Sequence, residues 1–331
     1  MSIDPTFVQS GKEPITWPEE LAYPRINVAP DFQVVPDWPN RPAEFYWEAI
    51  SGVWVDERDR VWLYTRGTPA IQVYSAEGDF LFSWLADSTG GAHHLKMDAE
   101  GRVWLADLET HTVRKYTRDG ELLLTLGTPG ESGADERHLF APTDMAFASN
   151  GDIFVSDGYG NARVVHYDRD GNYLKSWGSL GTGDEEFSLP HAIAIDSRDR
   201  IYVADRNNVR IQVFDTAGTL LESRANVIVP WGFWVSENDD LWVCGSTPMH
   251  WTDDPVYRGF PLGCPPKDQV LMRFDREGRV LQTWSAPKGR DGEERPGELN
   301  WVHALAFDSK GALYLGEVVG NRLQKFVPKT I

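Results

Sequence analysis

Eight histidines occur among 331 residues. Three of them, His93, His191 and His303, each stand eleven places before an aromatic residue (Trp104, Tyr202 and Tyr314) set in an apolar or alternating run. Neutral imidazole is a common metal ligand, and three imidazoles with one position left open form the pattern of a catalytic zinc site. The open position takes water or a substrate oxygen, which the ion polarises and acidifies. A lone histidine at a strand start is more often a packed or capping side chain. Recurrence at three equivalent places points instead to a shared metal.

That chemistry needs elements that bring distant segments to one point, and the sequence supplies them as a repeat. The second-strand aromatics Trp62, Trp104, Phe154, Tyr202, Trp242 and Tyr314 define six copies, each followed by a third-strand aromatic: Tyr74, Tyr116, Tyr167, Phe214, Phe274 and Phe326. The spacing within the fifth copy is longer, which places an insertion between Gly245 and Lys267. A fourth strand beginning at a glycine follows in five copies. The sixth ends at Ile331 without one, and Phe32–Trp38 matches the missing pattern at the other end of the chain.

Four-stranded units arranged radially make a β-propeller, and an unclosed ring would leave unpaired strand edges. The expectation is therefore an all-β, six-bladed propeller over residues 31–331, closed by an N-terminal strand that completes the last blade, with residues 1–30 as a leading arm. The repeat resembles the NHL family of propellers. First strands surround the central channel, and their starting residues read Ser51, His93, Thr143, His191, Trp231 and His303. Histidine occupies alternate blades, about 120° apart around the axis, so the three rings converge.

The same registry puts the residue four or five places past each second-strand aromatic beside the histidines. Arg66, Tyr159 and Arg206 stand there, whereas blade two has Leu108. Singly such residues are usually solvated or packed. Beside a metal, two guanidinium groups suit a substrate carboxylate and a phenol suits a general base.

Phe140-Ala-Pro-Thr-Asp144, Phe154-Val-Ser-Asp-Gly-Tyr-Gly-Asn-Ala-Arg163, Phe187-Ser-Leu-Pro-His191 and Val203-Ala-Asp-Arg-Asn-Asn208 resemble the core of the peptidyl-α-hydroxyglycine α-amidating lyases. The resemblance implies that His93, His191 and His303 are zinc ligands, that Tyr159 is the catalytic tyrosine, and that Arg66 and Arg206 are the active-site arginines. It also implies cleavage of a carbinolamide to a primary amide and glyoxylate. The family carries a structural calcium as well, but its methionine and calcium-binding acid beside the last histidine correspond to Trp301 and Ala304 here. Its cysteine after the tyrosine corresponds to Gly160.

Composition bounds the partners. Fifty acidic residues against 32 basic give a net charge of −18, which disfavours nucleic acid and anionic membrane surfaces. No stretch approaches the roughly 20 apolar residues of a membrane-spanning helix, and no signal sequence opens the chain, so a cytoplasmic protein is expected. Cys244 and Cys264 are the two cysteines; reduced thiols are the simpler expectation. The expected ligand is a small anionic or N-acyl molecule, with Trp251, Tyr257 and Phe260 of the insertion as a candidate cap for its acyl group. Two other readings remain open at this level. One is a noncatalytic NHL propeller that binds a protein or peptide; the other, weaker, is a metal-dependent lactonase-type hydrolase, which would favour carboxylate ligands over imidazoles.

Overall fold

In the computed structural model, residues 31–85, 90–248 and 269–329 are described; the leading arm, Cys264 and the aromatic residues of the insertion lie outside them. The described residues form six four-stranded antiparallel sheets. After β1 (Phe32–Val35), blade one holds β2 (Ile50–Val55), β3 (Val61–Thr65), β4 (Ile71–Tyr74) and β5 (Phe80–Trp84). Blade two holds β6 (Ala92–Met97), β7 (Val103–Asp107), β8 (Thr112–Tyr116) and β9 (Leu122–Leu126). Blade three holds β10 (Asp144–Phe147), β11 (Ile153–Asp157), β12 (Arg163–Tyr167) and β13 (Tyr173–Trp177). Blade four holds β14 (Pro190–Ile195), β15 (Ile201–Asp205), β16 (Arg210–Phe214) and β17 (Leu220–Ala225). Blade five holds β18 (Val229–Val235), β19 (Leu241–Ser246), β20 (Gln269–Phe274) and β21 (Val280–Ala286), and blade six holds β22 (Val302–Phe307), β23 (Leu313–Glu317) and β24 (Leu323–Pro328).

The local chemistry of a blade explains the repeated aromatic. An aspartate opens the turn between first and second strands and caps its backbone: Asp56 Oδ1 accepts from the Arg58 and Arg60 N–H groups, and Asp196 Oδ1 from those of Arg198 and Arg200. The other carboxylate oxygen accepts from the second-strand aromatic six residues on. Trp62 and Trp104 donate through Nε1 to Asp56 and Asp98, and Tyr202 and Tyr314 through their hydroxyls to Asp196 and Asp308. Trp and Tyr interchange there because each joins a large apolar body to a donor at its tip. These four aromatics are almost fully buried.

The first strands pack side by side in the order β2, β6, β10, β14, β18, β22 and back to β2, which is the ring. Closure follows the expected route. β1 pairs antiparallel with β24, Phe32 opposite Pro328 and Val35 opposite Lys325, and completes blade six. The strand stops at Val35, short of the expected Trp38, but Trp38 still performs the closing contact. Its ring lies 5.0 Å from Tyr314 of blade six, and its Nε1 donates to the Ala76 carbonyl of blade one at 3.0 Å. The indole fills the space where a Cβ on Gly78 would stand, as Trp84 does at Gly120 and Trp177 at Gly218. All three glycines have positive φ, so the turn and the knob of the preceding blade both select glycine.

Trp38 is almost fully buried between the first and last blades. Trp38→Ala is therefore expected to cost about 3–5 kcal/mol in chemical denaturation; an unchanged unfolding midpoint would show that the ring closes without it.

Candidate metal centre

His93 and His303 each lie one residue inside the start of their first strands, and so does His191. In all three blades the pairing of first and second strands shifts register at this point, between Ala92 and Leu95, Pro190 and Ile193, and Val302 and Ala304. The irregularity releases the histidine from the ladder and turns it into the channel. The three imidazoles are buried, their ring centroids are 4.5 to 4.8 Å apart, and one nitrogen from each lies within 4.8 Å of the others.

A backbone contact repeated three times sets their orientation. His93 Nδ1 lies 2.5 Å from the Thr143 carbonyl, His191 Nδ1 2.6 Å from that of Trp231, and His303 Nδ1 2.8 Å from that of Ser51. Thr143, Trp231 and Ser51 are the first-strand starts of blades three, five and one. Each imidazole is thus held by the equivalent residue of the next blade. A carbonyl only accepts, so each Nδ1 carries the proton and each Nε2 presents a lone pair. His93 Nε2 and His303 Nε2 face each other at 3.2 Å. Two lone pairs at that distance repel, and a cation between them reverses the sign. The donor set fits a zinc ion held by three Nε2 atoms.

Burial pushes the pKa of all three histidines well below the usual imidazole value, reinforced by the neighbouring imidazoles and, at His191 and His303, by nearby guanidinium charge. They are neutral and ready to ligate at pH 7.

The expected partners arrive where the registry places them. The N–H groups of Arg66, Tyr159 and Arg206 donate to the carbonyls of Ala49, Ala141 and Leu189, each two residues before a first-strand start. Tyr159 occupies this place although it lies one residue further from its aromatic than the arginines do from theirs. The Tyr159 hydroxyl is 3.3 Å from His191 Nε2 and takes a long hydrogen bond, 3.4 Å, from Arg206 Nη1. Arg206 is buried, its guanidinium lies 5.8 Å from the Trp301 ring, and its Nε has no protein partner. Arg66 is anchored through Nε to the Ala92 carbonyl at 3.2 Å, next to His93. Cys244 is fully buried against Gly232, which pushes its thiol pKa up and keeps it unreactive.

Three residues of the channel were not anticipated: His94, Lys96 and Asp144, all buried. The signal was available, because the positions following the six first-strand starts read Gly52, His94, Asp144, Ala192, Gly232 and Ala304. Small residues fill four of them; His94 and Asp144 break the pattern.

Unfolded histidines titrate near 6.5 and the folded ones lower. Their contribution is present above pH 6.5 and is lost as pH falls, because the unfolded chain then binds more protons. Urea unfolding of chelator-treated protein is expected to show stability dropping below about pH 6.5 by up to about 1.4 kcal/mol per pH unit for each histidine. The drop should be shallower in His191→Phe, and an unchanged slope in that variant contradicts the assignment.

Known proteins share this fold and parts of this sequence. The NHL repeat model matches residues 187–214. Human NHL repeat-containing protein 3 is 29% identical over 334 residues, covering 95% of this chain and 87% of that protein. Peptidyl-α-hydroxyglycine α-amidating lyase 1 of Drosophila melanogaster is 34% identical over 231 residues, covering 63% of this chain and 38% of the lyase. A solved streptogramin B lyase superposes with a TM-score of 0.59 at 15% identity, over 90% of this chain and 98% of its own, a likeness of fold. The chain is a six-bladed β-propeller that carries an NHL repeat and has homologues among the α-amidating lyases and NHL repeat-containing protein 3.

Proposed function

We propose that this protein is a zinc-dependent lyase that cleaves the N–C bond of an α-hydroxyglycine amide, or a related small carbinolamide, to a primary amide and glyoxylate or another carbonyl product. The observation that carries the reading is the convergence of three Nε2 lone pairs at a point flanked by Tyr159 and Arg206. The similarity to the fly lyase supports it. His93, His191 and His303 would hold the ion, whose Lewis acidity would lower the pKa of the substrate hydroxyl.

The protein's own groups account for the rest. Arg206 presents its unpartnered Nε, and with Arg66 holds the substrate carboxylate at the channel mouth. Both carry fixed positive charge beside the imidazoles in a chain of net charge −18, so an anionic substrate is drawn to this spot. The Tyr159 oxygen, as general base, receives the proton of the substrate hydroxyl; the O–H pair becomes the carbonyl π bond as the C–N bond breaks. The departing nitrogen takes up a proton, and the products are R–CO–NH₂ and OHC–COO⁻. Arg206 donates to the same phenol oxygen and holds it beside the three imidazoles.

A second reading is a noncatalytic NHL propeller that binds a protein or peptide through the same face, and the near full-length similarity to NHL repeat-containing protein 3, whose name states no activity, is consistent with it. Metal analysis and kinetics separate the two. About one zinc per chain is expected in the purified protein and none in His191→Ala. Tyr159→Phe should keep its zinc while turnover of α-hydroxyhippurate, followed as glyoxylate release, falls at least about 100-fold. Full turnover in Tyr159→Phe removes the tyrosine from the base role, and a zinc-free wild type at full stability favours the noncatalytic reading.

A further inference from the structure

Beneath the three imidazoles the channel holds a second polar layer that the proposed chemistry does not use. Three places past each first-strand start the residues are Trp54, Lys96, Ala146, Ala194, Trp234 and Ala306, so a charge stands in blade two alone. Lys96 Nζ donates to Asp144 Oδ2 at 2.7 Å and to the Ile193 carbonyl. The same Oδ2 accepts from the Ile193 N–H at 3.0 Å, and Oδ1 accepts from the Met145 N–H at 2.8 Å. Both backbone groups of Ile193 are therefore held by one buried ion pair, at the end of the register shift that frees His191.

This network spans β6, β10 and β14. Lys96 lies three residues past His93 on one strand, and Ile193 lies two past His191 on another. Asp144 follows Thr143, whose carbonyl holds His93. His94, between them, packs 4.8 Å from both His93 and His303 by ring centroids. On its other side Lys96 lines a cavity of about 420 Å³ at the far end of the first strands, with Trp54, Phe147, Phe233 and Trp234. The pair lies between that cavity and the imidazoles.

A buried ion pair is a poor device for stability, because its desolvation cost offsets much of its attraction and apolar residues of similar volume serve as well. What it provides here is geometry: a charged hydrogen-bonded link of fixed length between the strands of two metal ligands. We infer that the Lys96–Asp144 pair is a positioning device for the three-histidine centre, a cation tethered to the chain that sets the spacing of His93 and His191 and thereby the affinity for the metal. The inference rests on the reading of those imidazoles as ligands.

Lys96→Met combined with Asp144→Asn removes both charges without leaving either one unpaired, and keeps an acceptor oxygen for one of the two backbone N–H groups that Asp144 holds. Zinc affinity is measured by competition with a chromophoric chelator in this double variant, in wild type, and in Val113→Ala, a core truncation in a third strand away from the channel. The double variant is expected to bind zinc about 10- to 100-fold more weakly, with Val113→Ala unchanged. Wild-type affinity in the folded double variant, or equal weakening in Val113→Ala, overturns the inference and leaves the metal centre standing. A wild type that binds no zinc overturns both. Should the double variant not fold, Asp144→Asn alone is measured, with at least about tenfold weakening expected and wild-type affinity again overturning the inference.

Discussion

Each of the three imidazoles is held by a backbone carbonyl of the following blade, and the rest of the site depends on that bond. It fixes the proton on Nδ1, aims Nε2 at the axis, and makes the centre a property of the ring and not of any one blade. The bond from His303 is the most demanding, because its acceptor is Ser51 of blade one, 252 residues away in the chain. The centre is complete only when the ring is closed, and β1 on β24 with Trp38 against blade one closes it. Closure and the geometry of the three imidazoles are one constraint.

Alternation around the ring follows from the same arrangement. Three blades supply imidazoles, and the three between them supply the carbonyls through Ser51, Thr143 and Trp231, whose side chains need not ligate. Their neighbours must still leave room. Gly232 has none to spare, since a Cβ there would run into the His303 carbonyl. Ser51 and Arg66 both donate to the Ala92 carbonyl, so the arginine of blade one is tied to the strand of His93.

Much of this was legible in the sequence because a propeller repeats its register. An eleven-residue offset from the second-strand aromatic located all three histidines, and a further four or five located Arg66, Tyr159 and Arg206. The extent of β1 was less legible: it ends at Val35, and Trp38 acts beyond it as a knob and not as a ladder residue. The carbonyls that hold the imidazoles were invisible because backbone acceptors carry no residue type. His94, Lys96 and Asp144 were less legible for another reason: their departure from small or apolar neighbours lies one and three places deeper in the channel, below the layer of the three histidines.

We propose that three imidazole nitrogens, and no thiolate or carboxylate in their place, hold one zinc ion. X-ray absorption at the zinc edge of the purified protein tests it most directly. The expected spectrum has three imidazole nitrogens at about 2.0–2.1 Å, with their outer-ring scattering lost from His191→Ala. A sulfur neighbour at about 2.3 Å, or a spectrum that His191→Ala leaves unchanged, would contradict the account.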